Sequence, residues 1–128
     1  MTPDRMHLFD VVFDAGGVHL RGSSSAVGRV KAPPVSISPW RVEFVVTGRS
    51  GETLFVGSVD HPLHPRHEYP LDPATGQLRT VFGLETEGAL LLRVPAELPA
   101  TRIAFFERRP TQDPGDPPIP LGEVSVVP

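Results

Sequence analysis

From Trp40 to Thr47 the chain alternates. Trp40, Val42, Phe44 and Val46 take every second position, and Arg41, Glu43, Val45 and Thr47 lie between them. A period of two puts one set on a buried face and the other on a wetter one. Gly48-Arg49-Ser50-Gly51 follows, with the loose backbone that a reversal needs. Glu52 to Val59 then resumes with β-branched and aromatic residues, so Trp40–Val59 predicts an antiparallel hairpin.

The same alternation recurs along the chain. Between Met6 and Phe13, Phe9, Val11 and Phe13 share a face, with Leu8 and Val12 on the other. Residues 1–5 read as a frayed tail. After a turn at residues 14–17, Val18–Arg21 returns as a short strand. The serine cluster at residues 22–25 reads either as a solvated loop or as a bulge in a longer strand that resumes at Ala26 and runs through Lys31. Pro33-Pro34 ends that run, since proline offers no N–H to a ladder. Val35–Ser38 reads as a brief edge segment.

Residues 60–76 form the longest irregular stretch, where Pro62, Pro65, Pro70 and Pro73 exclude a helix or a central strand. Gln77–Phe82 alternates as a strand, and residues 83–88 form an acidic turn. Ala89–Val94 is apolar on both faces except for Arg93, which predicts a central strand between layers. Only residues 85–92 admit a helical turn. Thr101–Arg108 alternates again. A proline- and aspartate-rich loop over residues 110–120 leads to a last strand, Leu121–Val127. About seven to nine short strands at this spacing predict an all-β fold, an antiparallel β-sandwich of immunoglobulin or fibronectin type. A jelly roll or a small barrel is the alternative.

The length of 128 residues fits one domain, so residues 1–128 are read as a single sandwich. With no cysteine, disulfides and thiolate metal sites are excluded. The net charge of −3 is spread along the chain without a basic cluster, which speaks against nucleic-acid binding. Lys31 is the only lysine and asparagine is absent, a bias expected of a GC-rich genome. No apolar run approaches the ~18–20 residues of a transmembrane helix. The N-terminus lacks a signal-peptide pattern, which predicts a cytoplasmic protein if the chain is complete and a secreted one if it is a trimmed domain.

The histidines of the irregular stretch are the main chemical feature. His61, His64 and His67 recur every three residues, with Glu68 beside the last. Imidazole and carboxylate are the usual ligands of zinc, so His61, His64, His67 and Glu68 form a candidate metal set. The interleaved prolines favour polyproline II, which would space the rings about 9 Å apart along one ridge. A turn within the loop is needed to gather them. The alternative is a solvated loop stiffened by proline. His67-Glu68 does not begin a zinc-peptidase helix, because Pro70 breaks it and position 71 is leucine.

No Gly-x-Ser-x-Gly elbow accompanies Ser23–Ser25, and no glycine-rich loop opens a helix to cradle phosphate. Asp113, Gly115 and Asp116 offer at most a weak calcium loop. Trp40 and Tyr69 are candidates for a stacking platform, with a core-edge role the simpler reading for Trp40. Pro62 to Pro65 and Pro114 to Pro117 have the spacing that aromatic grooves read in partners.

One longer pattern carries a resemblance. Trp40-Arg-Val-Glu-Phe-Val-Val, Gly51-Glu-Thr-Leu-Phe, the histidine–proline loop with Glu68, Leu91-Leu92-Arg93-Val94-Pro95 and Arg102-Ile-Ala-Phe-Phe-Glu107 occur in this order. Over residues 40–108 this resembles the β-sandwich domain ahead of the catalytic part of secreted IgA-peptidase-like bacterial metallopeptidases. The resemblance implies an immunoglobulin-like accessory domain without catalytic residues, acting on or beside a partner protein. The expected function is therefore a non-catalytic binding module without a cofactor. The alternative is a metal-dependent activity, zinc being the ion, at the His61–Glu68 loop. A third reading is a ligand carrier with its pocket between the sheets.

Overall fold

The computed structural model describes residues 3–30, 32–72 and 74–126. Among them are nine strands and no helix: β1 (Arg5–Asp14), β2 (Gly17–Val27), β3 (Arg41–Thr47), β4 (Thr53–Asp60), β5 (Arg66–Asp72), β6 (Gln77–Phe82), β7 (Glu87–Pro95), β8 (Arg102–Arg108) and β9 (Ile119–Ser125). All pairings are antiparallel. One sheet has the order β2-β1-β7, a second β4-β3-β8-β9, and β5-β6 forms a separate ribbon. The sheets do not close into a barrel, and the fold is a β-sandwich.

The alternating residues fill the space between the two larger sheets. Phe9, Val11 and Phe13 of β1 meet Val42, Phe44 and Val46 of β3 and Ile103 and Phe105 of β8 in one cluster. Phe13 and Phe105 touch edge to face, with ring centroids 5.3 Å apart, a favoured aromatic geometry. The β3–β4 hairpin forms as expected, and Gly51 takes a φ of 81° in its turn, a conformation open to glycine without a Cβ clash.

Several elements differ from the sequence reading, each for a local reason. The serine cluster is not a solvated loop but part of a longer strand with a bulge: β2 runs through Val27, and its register with β1 skips Arg21, just before the cluster. This bulge shifts the inward positions of β2 by one residue, from Val18 and Leu20 to Ser23 and Ser25. Residues 28–30 are not strand, and Lys31 lies outside the described residues. Val35–Ser38 forms no strand, although Ser58 donates its N–H to the Pro34 carbonyl at 2.9 Å on the flank of β4. Part of the irregular stretch becomes β5, with Pro70 opposite Leu78. A two-stranded ribbon leaves each strand one unpaired edge, where a missing N–H does no harm. Residues 85–92 hold no helical turn, and from Glu87 they belong to β7. This strand is an edge and not a centre, because β1 is its sole neighbour among the described residues and Leu91 stays 49% exposed. Val127, the expected end of the last strand, and residues 1 and 2 of the expected tail lie outside the described residues.

Candidate functional site

Register brings the site together. Arg41, the first residue of β3, faces Asp60 of β4 on one side and Arg108 of β8 on the other. Trp40 and His61 are each the next residue toward the sheet end, and Glu107 stands opposite Val42, one step inward on the face that Trp40 shares, so all three gather near one end of the four-stranded sheet. A backbone bond from His61 N–H to the Trp40 carbonyl, 3.2 Å, holds this end closed.

Glu107 continues the inward row Ile103, Phe105 and is itself only 5% exposed. A buried carboxylate needs partners, and it has three. The Trp40 indole Nε1–H donates to Oε1 at 2.8 Å. His61 Nε2 lies 3.3 Å from the same oxygen, and an Arg109 Nη2 lies 3.2 Å from Oε2. Burial works to raise the Glu107 carboxyl, but the bonds from Trp40 and Arg109 and the Arg109 charge outweigh it and hold it below the usual carboxylate value.

His61 is 3% exposed. Its Nδ1 accepts the Leu63 N–H at 3.1 Å, so the proton of the neutral ring sits on Nε2 and is given to Glu107. Burial pushes its pKa from 6.5 down to about 4, against the pull of Glu107, and the nearby His64 and Arg109 add to the fall.

His64 sits beside it, because the loop turns where polyproline II would have kept it straight. The His61 carbonyl accepts the His64 N–H at 3.1 Å, which brings the two ring centroids to 4.7 Å. His64 stacks flat on Trp40, centroids 3.6 Å apart at 15°. Its Nδ1 lies 3.1 Å from the Gly83 carbonyl. A carbonyl can only accept, so Nδ1 carries the proton and Nε2 keeps a free lone pair.

His67 and Glu68 do not join this group. Both lie on β5 and are exposed. The carboxylate that converges with the histidines is Glu107. One potential ligand atom from each of His61, His64 and Glu107 lies within 4.8 Å of the others. Nothing in the sequence spacing pairs residue 107 with the histidines. Its one signal was a charge at a position that should be apolar in the β8 alternation.

The donor set fits a zinc-like ion at two of three positions. His64 presents a lone pair while its other nitrogen is held by a carbonyl, and Glu107 has outer partners, as metal ligands commonly do. His61 is the exception, since its one lone pair already accepts the Leu63 N–H. The cluster borders a cleft of about 200 Å³ lined also by Phe13, Val18 and Leu63.

The other sequence candidates are placed as follows. Trp40 is half-buried against His64, His61 and Phe82, while Tyr69 stands exposed on β5 beside His67. Asp116 Oδ2 accepts the Asp113 N–H at 3.1 Å, which closes that loop on itself. No family model matches this chain, and neither a curated protein nor a solved structure matches it.

Proposed function

We propose that the chain is a non-catalytic, immunoglobulin-like β-sandwich module that binds a partner protein through the β5–β6 ribbon. The observation that carries this reading is the exposure of large apolar side chains there. Tyr69 is 53%, Leu71 61% and Leu78 58% exposed, and Leu84 just beyond β6 is 82% exposed. Exposed apolar groups gathered on one element mark interaction sites more often than scattered ones do. The buried polar groups of the sandwich, by contrast, satisfy one another: among the described residues none is left without a hydrogen-bond partner. The test is proximity labelling in the source cells with the wild type and with a Tyr69→Ser, Leu71→Ser, Leu78→Ser variant. Partners labelled by the wild type and lost with the variant support the reading. An unchanged set of partners ends it.

A second reading is a divalent-metal site at His61, His64 and Glu107, favoured by the convergence of their ligand atoms. It requires His61 to release its Nε2 proton and Nδ1 to give up the Leu63 N–H. Zinc titration followed by amide and imidazole-nitrogen NMR separates the two. A metal site gives stoichiometric, saturable shifts that vanish in Glu107→Gln and survive His67→Ala. The first reading gives no saturable response.

A further inference from the structure

A larger cleft, about 670 Å³, opens between the sheets beside β2. Its origin lies in the inward row of that strand. Cross-strand partners share a face, and Val18, Leu20, Ser23 and Ser25 stand opposite Phe13, Val11, Phe9 and His7. The row therefore begins apolar, as a sandwich core requires, and then turns to serine. At the apolar end the sheets meet: a Cβ on Gly122 of β9 would lie 3.7 Å from Val18. At the serine end no side chain among the described residues fills the gap, and Phe9, Leu20, Leu98 and Val126 are left as an apolar floor. This volume falls within the roughly 300–1,000 Å³ of small-molecule sites.

The rim carries two cations. Arg49 lines the cleft, and the Arg5 guanidinium donates to Ser25 Oγ at 3.1 Å. Neither forms an ion pair among the described residues. The one carboxylate in the lining, Glu52, is turned onto its own hairpin, where it accepts the Ser50 N–H at 2.9 Å. From the apolar floor, the hydroxyl wall and the guanidinium groups of Arg5 and Arg49, we infer that this cleft binds an amphipathic carboxylic acid, its chain on the floor and its carboxylate at Arg49.

The probe is 11-(dansylamino)undecanoic acid, titrated by fluorescence, with its methyl ester as the uncharged control. The expected result is saturable one-to-one binding of the acid. Ser23→Phe, which fills the cleft, should abolish binding. Arg49→Ala, at an exposed position that leaves the fold alone, should weaken the acid about tenfold, the worth of a charge-assisted hydrogen bond, and leave the ester unchanged. Leu78→Ser on the distant ribbon should change nothing. Should Ser23→Phe fail to fold, Ser25→Leu takes its place. Unsaturable binding, or binding that survives the filling substitution, overturns the site. Equal affinity for acid and ester overturns the carboxylate assignment.

Discussion

His61 and Glu107 meet at 3.3 Å with both side chains almost fully buried. The histidine is held neutral and the carboxyl is held ionised, so each depends on pH in the same direction. The folded pKa of His61, about 4, lies below its ordinary 6.5. Between these values the unfolded chain takes up a proton that the folded chain refuses, so stability is lost as pH falls. The lowered Glu107 carboxyl adds a further loss as pH falls through the carboxylate range. Thermal unfolding should show a lower midpoint at pH 5 than at pH 7. In His61→Gln, which keeps a donor toward Glu107 but does not titrate, the slope between these two pH values should flatten. An identical slope would contradict the assignment.

Trp40 serves Glu107 through one hydrogen bond. Trp40→Phe preserves a ring for His64 to stack on but removes the indole N–H. The buried Oε1 then loses its shortest bond, which should destabilise the fold by about 1–3 kcal/mol. Urea unfolding followed by circular dichroism measures this. Little or no change would mean that His61 and Arg109 alone satisfy the carboxylate.

Gly88 sets the position of the histidine loop. A Cβ there would lie 2.5 Å from the Pro62 carbonyl oxygen and 2.7 Å from Pro62 Cβ. Neither a backbone carbonyl nor a proline ring swings aside, so Gly88→Ala must push the loop off β7. The expected cost is about 1–3 kcal/mol, as for other overpacked sites, with shifted ring resonances of His61 and His64. Gly22→Ala, which meets nothing within 4 Å, is the control and should be close to neutral.

The ribbon should be energetically separate from the sandwich. Tyr69, Leu71 and Leu78 are exposed and lie outside the core cluster. Replacing all three by serine should shift stability by no more than about 0.5 kcal/mol per site, the usual range for surface changes. A cooperative loss of the whole fold would show that the ribbon belongs to the core.

Alternation alone determined the all-β class, the β3–β4 hairpin and the inward faces of β1 and β8. Those faces repeat every two residues, and burial follows that period whatever the strands pair with. It did not determine which strands are central. An edge strand and a central one differ by a neighbour and not by their own residues, which is why the apolar run Leu90–Leu92 misled while β7 sits at an edge. The histidine spacing likewise named His61 and His64 correctly as neighbours but placed His67 and Glu68 with them. Whether a proline-rich loop runs straight or turns rests on tertiary support, here the packing of Pro62 on Gly88 and the stacking of His64 on Trp40. Glu107 enters the same cluster through the register of β3 with β4 and β8. Such long-range pairing leaves no local trace, so only the tertiary structure decided that a carboxylate from the far end of the chain would meet these histidines.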